Sequence, residues 1–194
     1  MIYGVRLPAL VGAVLLALGT AQAEGVRSAS MLANTCAGCH GTNGASAGLF
    51  MPTIGGLDKG YIYTVLGDYQ TGLRPSTIMG RITKGYSDQE LRVIASWFAQ
   101  QPWSPNDAIA DGKLVAVGGD LHQAQCETCH KDGGREQSEE RPRLAGQWPG
   151  YIQYALEQCR EIGARCEPRK MGERVMKLSD EQIRALAHYY ASEK

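Results

Sequence analysis

The sequence predicts an all-α chain built as two tandem copies of one small domain. Three observations predict it. A Cys-x-x-Cys-His motif occurs twice, Cys36 to His40 and Cys126 to His130, 90 positions apart. The residues that follow each motif repeat as well. Apolar residues recur at helical spacing behind helix-capping residues, and no run alternates as a strand does.

The repeat defines the domains. At an offset of 90, Pro52 matches Pro142, Gly56 matches Gly146, and Gly60-Tyr61-Ile62 matches Gly150-Tyr151-Ile152. Two residues then enter the second half. At an offset of 92, Met79-Gly80 matches Met171-Gly172, Ser87-Asp88 matches Ser179-Asp180, and Trp97-Phe98 matches Tyr189-Tyr190. A period of this kind marks a duplicated structural unit. The copies are placed at residues 24–104 and 105–194, joined by a linker from Gln101 to Asp111 that holds Pro102 and Pro105. Each copy is too small to bury a generous core unaided.

The elements follow in order. The segments Val26 to Thr35 and Gly118 to Gln125 read as the first helix of each domain, running into its motif. The loops Gly41 to Gly48 and Lys131 to Arg143 are glycine-rich or charged and read as solvated connections. A middle helix starts near Asp58 in one half and near Pro149 in the other, where proline suits the first helical position. Ser87 and Glu90 form a capping box ahead of Leu91, Ile94 and Phe98 on one face. Ser179 and Gln182 repeat the box ahead of Ile183, Leu186 and Tyr190.

The paired motif carries the chemistry. Residues three and four apart on a helical turn share a face. Cys36 with Cys39, and Cys126 with Cys129, are therefore spaced to bond the two vinyl groups of one porphyrin. The next residue, His40 or His130, then lies beneath the iron as proximal ligand. Two covalent haem c groups are expected, and each would supply the apolar centre its domain lacks. The competing readings are a redox disulfide, which expects a cytosolic βαβ context, and a zinc site, whose pairs usually lie about 15–20 residues apart.

The sixth ligand separates a carrier from a catalyst. A His/Met iron is saturated and suited to electron transfer, whereas an open iron binds small molecules. Beyond the leader the chain offers Met31, Met51, Met79, Met171 and Met176, and methionine is usually core filler. The repeat selects Met79 and Met171, which occupy equivalent positions, 39 and 41 residues after their histidines. They are assigned to the first and second irons. The alternative is that one iron stays open or takes another side chain. His122 and His188 read as surface or packed residues, and no Ser-His-Asp or carboxylate constellation stands out.

Composition and targeting bound the setting. The formal net charge is zero, so no nucleic-acid footprint is indicated. Arg6, the apolar run Leu7 to Leu18 and Ala21-Gln22-Ala23 form a secretory signal peptide over residues 1–23, cleaved after Ala23. The run is shorter than the roughly 20 residues of a membrane-spanning helix, so no membrane span is expected in the mature chain. Export of this kind suggests the bacterial periplasm. There, Cys159 and Cys166 default to a disulfide. Seven residues of continuous helix would hold them roughly 10 Å apart, so the bond requires the helix to stop near Gly163. Two free thiols are the alternative.

Taken together, the Cys-x-x-Cys-His pairs, Pro142-Arg143-Leu144-Ala145-Gly146-Gln147 and the stretch Met171 to Asp180 resemble the dihaem cytochrome c4 family, two fused class I cytochrome c domains. The first half departs from that pattern, with Ile54-Gly55-Gly56-Leu57 in place of Leu-Ala-Gly-Gln. A narrower resemblance is carried by Ser76 to Ser87, by Asn34 to Thr42, by Leu144 to Trp148 and by Tyr151 to Leu156. These look like the cytochrome subunit of flavocytochrome c sulfide dehydrogenase. That resemblance implies a separate flavoprotein partner carrying FAD, which oxidises sulfide and passes electrons to the dihaem subunit, and a soluble cytochrome c acceptor. A free-standing carrier to a terminal oxidase is the alternative, and a haem enzyme with an open iron is a third.

Overall fold

The computed structural model describes Met1 and residues 27–194. The signal peptide expected over residues 1–23 lies, but for Met1, outside the described residues. Among the described residues, extended pairing is confined to one isolated bridge between Ser138 and Arg141, as the absence of alternating runs predicts.

In the first half, α1 (Ala29–Asn34) is capped by Ser28 and leads into the motif helix α2 (Ala37–His40). Next come α3 (Lys59–Thr71), capped by Asp58, α4 (Met79–Thr83) and α5 (Asp88–Ala99). In the second half, α6 (Gly112–Leu121) continues as a π-helical turn, His122–Cys126, into the second motif. A tight turn, α7 (Lys131–Gly134), follows, then α8 (Pro149–Ile162), α9 (Arg169–Val175) and α10 (Asp180–Ser192).

Local chemistry set most of these bounds. Both capping boxes are closed on both sides: the Ser87 and Ser179 hydroxyls accept the N3 amides, while Glu90 and Gln182 accept the cap amides. Replacing Ser179 by alanine is expected to cost about 1 kcal/mol of unfolding free energy, readable by denaturant titration. Helix α6 begins six residues before the expected Gly118, because the Asp111 carboxylate accepts the amides of Lys113 and Leu114. That N-cap lies in the segment expected to be linker.

Each half wraps its own apolar cluster. One joins Leu32, Leu57, Ile62, Ile94 and Phe98; the other joins Ile152, Leu156, Val175, Ile183, Leu186 and Tyr190. The repeat also holds in the hydrogen bonds. Gly44 O accepts the amides of Ile54 and Gly55, as Gly134 O accepts those of Leu144 and Ala145. Gly56 N donates to Phe98 O at 2.9 Å, as Gly146 N donates to Tyr190 O at 2.8 Å.

The linker is tied down: Asn106 is buried and its side-chain amide donates to Gly146 O, Gln147 O and Ala191 O. The loops after the two motifs are not simply solvated connections. Ser46 in the first accepts Trp148 Nε1–H at 3.0 Å. Gln137 in the second brackets Leu57, donating to Gly56 O at 2.9 Å and accepting from Asp58 N at 3.0 Å. Surface loops carry contacts wherever they shield backbone groups of a neighbour from water.

Candidate functional site

The first site is assembled by α1, α2 and α4. Thr35 closes α1 and its hydroxyl pairs with the Tyr86 hydroxyl at 2.6 Å, tying the motif to the segment that precedes α5. Cys36 is half-buried and Cys39 exposed. His40 is buried, and its Nδ1 lies 2.9 Å from Pro52 O. A carbonyl can only accept, so Nδ1 carries the proton and Nε2 keeps its lone pair for a metal. Burial lowers the His40 pKa, which favours that neutral form.

Met79 opens α4. The Ser76 hydroxyl accepts the amides of Ile78 and Met79, at 3.2 and 2.7 Å, and fixes the turn that presents it. Gln70 of α3 donates to Thr83 O and Tyr86 O and holds the far end of α4. Cys36 borders the first apolar cluster, but Met79 stands off it, half-buried beside exposed Ile78.

The second site is built on the same plan with other supports. His130 is buried, and burial depresses its pKa to about 4. Its Nδ1 has no hydrogen-bond partner among the described residues, unlike that of His40. Cys126 and Met171 both border the second apolar cluster. Arg174 of α9 donates to Gln125 O at 2.6 Å, joining the methionine helix to the motif. The disulfide between Cys159 and Cys166 is formed, with Cα atoms 5.1 Å apart. Helix α8 ends at Ile162 and the chain turns through Gly163, at φ 57, which is the interruption the bond requires. The bond pins the segment leading to Met171 against the end of α8. A Cβ on Gly172 would lie 2.9 Å from Cys166 O, so the Met-Gly pair allows the close approach.

His122 is packed, as one of its two expected readings held. It lies between the rings of Tyr189 and Tyr190, bonded through Nδ1 to the Tyr190 hydroxyl at 2.9 Å and through Nε2 to the Glu127 carboxylate. Glu127 also accepts the Asp132 amide. Glu127 is the second residue of the motif, so this network clamps the motif to α10. His188 is half-buried and accepts the Asp111 amide.

These residues fit haem c. The four motif thiols are free, whereas the other two cysteines are paired. Burial pushes the Cys36 and Cys126 thiols up. Both imidazoles are buried and neutral, and each motif borders an apolar cluster. Among the described residues, no group of three or more His, Cys, Asp or Glu side chains is placed to hold a bare metal ion, so the two pairs do not converge on a zinc site.

A helical domain with a buried histidine behind two free thiols, present twice, defines a c-type cytochrome. Comparison with known proteins agrees. Residues 26–101 match the cytochrome c family, and residues 113–189 match the family described as cytochrome c oxidase, cbb3-type, subunit III. A thiosulfate dehydrogenase electron acceptor of Stutzerimonas stutzeri is 30% identical, covering 94% of this chain and 92% of the relative. Cytochrome c4 of Azotobacter vinelandii is 30% identical, covering 88% and 90%. The crystal structure of reduced recombinant cytochrome c4 from Pseudomonas stutzeri superposes with a TM-score of 0.77 at 26% identity, covering 86% of this chain and 97% of that one. A more local match is the cytochrome subunit of sulfide dehydrogenase from Chlorobaculum tepidum, 47% identical over 68 residues, 35% of this chain and 61% of that relative. The chain belongs to the cytochrome c4-like family of dihaem, two-domain cytochromes c. It is an electron-transfer protein with covalently bound haem c.

Sequence reasoning missed Gln147 and Gln137. Both lie in the second half and both grip peptide groups of the first.

Proposed function

We propose that the chain is the electron outlet of a flavin-dependent sulfide dehydrogenase, taking electrons from the FAD of a separate flavoprotein and passing them to a soluble cytochrome c in the periplasm. The observation that carries this reading is the 47% identity over 68 residues to the cytochrome subunit of sulfide dehydrogenase. When bound, haem supplies one-electron redox chemistry. The chain's own residues hold it. Cys36, Cys39, Cys126 and Cys129 would anchor the two groups, and His40 with Met79, and His130 with Met171, would supply the protein ligands of the two irons. A saturated His/Met pair keeps small molecules from the iron and favours transfer over catalysis.

Location follows the signal peptide expected over residues 1–23. No helix among the described residues is long and apolar enough to cross a membrane.

Rapid mixing tests the proposal. With the sulfide dehydrogenase flavoprotein and sulfide present, the haems are expected to reduce on the timescale of turnover, and the two proteins to co-elute. Without the flavoprotein, reduction should be orders of magnitude slower. Failure to couple, with fast electron delivery to a terminal oxidase instead, would favour a free-standing cytochrome c4-type carrier. That second reading is supported by cytochrome c4 of Azotobacter vinelandii, which matches over 88% of this chain and 90% of its own length. Coupling to thiosulfate dehydrogenase alone would move the donor to the other sulfur compound named among the relatives.

A further inference from the structure

We infer that Gln147 is a positioning residue for the proximal ligand of the first iron, acting across the boundary between the two halves. The inference rests on His40 being that ligand. The peptide joining Pro52 to Thr53 is the link. Its carbonyl, Pro52 O, lies 2.9 Å from His40 Nδ1 and accepts that ring's N–H. Its amide, Thr53 N–H, donates to Gln147 Oε1 at 2.9 Å. Both ends of one peptide plane are therefore engaged, one by the ligand and the other by a side chain 94 positions away.

The carboxamide is fixed as well as bonded. Gln147 Nε2 donates to Thr53 O at 2.9 Å, and Oε1 also accepts the Trp148 amide at 3.0 Å. Reversing the amide would set its NH2 against two N–H donors, so the orientation is determined. Gln147 is 3% exposed and Thr53 is 0% exposed. In such a setting hydrogen bonds in a chain strengthen one another. Gln147 polarises the peptide, the peptide carbonyl becomes the stronger acceptor, and His40 Nδ1–H is held harder. A more strongly held Nδ1–H makes Nε2 a better donor to iron and favours the oxidised state.

The second iron has no such brace. Among the described residues, His130 Nδ1 has no hydrogen-bond partner. The repeat places Leu57 at the position of Gln147, and leucine has no polar group to offer. Docking of the halves therefore tunes one haem and not the other.

The test uses the holoprotein with Gln147→Leu and Gln147→Glu. Both midpoint potentials are followed by spectroelectrochemistry, and the ring Nδ1–H signals of His40 and His130 by NMR of the reduced protein. Gln147→Leu is expected to move the His40 signal upfield and raise the first potential, leaving His130 and the second potential unchanged. Gln147→Glu, read at a pH high enough to ionise the buried carboxylate, keeps an acceptor for Thr53 N–H and adds charge, so the His40 signal should move downfield and the first potential fall. If Gln147→Leu assembles poorly, the opposite shift in Gln147→Glu stands as the test. A folded variant whose His40 signal and first potential stay at wild-type values, or one in which both haems shift equally, overturns the inference. A His40 ring that shows no haem-shifted resonance in the wild type sinks the ligand assignment instead.

Discussion

Replacing Met79 by alanine is expected to open the first haem to carbon monoxide and lower its potential, leaving the second as it was. Alanine offers no thioether, and thioether ligation is what raises the potential of a His/Met iron. Axial ligands move haem potentials across roughly 0.8 V, so a fall of one to a few tenths of that span is the expected size. The fold should survive. Met79 is half-buried and stands off the apolar cluster of its half, and Ser76, Thr83 and Gln70 hold α4 through bonds that do not involve its side chain. Truncation there should cost less than the roughly 2–5 kcal/mol of a core methionine. Met171→Ala is the informative contrast. Met171 packs against the second cluster, so its loss combines ligand removal with a cavity. Carbon monoxide titration of the ferrous protein and a redox titration check both. A Met79→Ala protein that binds no carbon monoxide would remove Met79 as ligand.

Removing the disulfide should loosen the second site selectively. Changing Cys159 and Cys166 together to alanine releases a loop of seven residues' separation, worth about 2–3 kcal/mol by chain entropy. The strain falls on Met171. Cys166 lies five residues before it, and the Cys166 backbone touches the position of Gly172. The charge-transfer absorption of the second methionine–iron bond is expected to weaken at temperatures where the first is intact. Thermal unfolding followed at each haem checks this. Equal losses at the two sites would show that the bond supports the whole chain rather than the Met171 segment.

The legible parts of the molecule were the local ones. Asp58, Ser87, Pro149 and Ser179 each act within one helical turn, and their effects are written in adjacent residues. The histidines and thiols were legible for the same reason, since five consecutive residues carry the whole attachment pattern. The break at Gly163 followed from the reach of a disulfide. Gln147 was hidden although its motif was noticed. Its partners are backbone atoms of Thr53, and a peptide group has no residue identity to read. Asn106 and Gln137 escaped in the same way. The short run of local clues also misplaced the start of α6, because Asp111 sat on the wrong side of the assumed boundary.

The glutamine contacts have a direction. Gln137 and Gln147 both reach from the second half into backbone of the first, and the first half returns neither contact. Leu57 stands where Gln147 would be, and a Cβ on neighbouring Gly56 would lie 2.8 Å from Trp103 N. Duplication yields interchangeable copies, and a contact between such copies begins either mutual or head-to-tail. This one is head-to-tail and has since hardened into plug and socket. A chain of two first halves would carry leucine at both positions of the Gln147 plug and would lack that contact. Shuffling halves among relatives should therefore need a second half that supplies the glutamine.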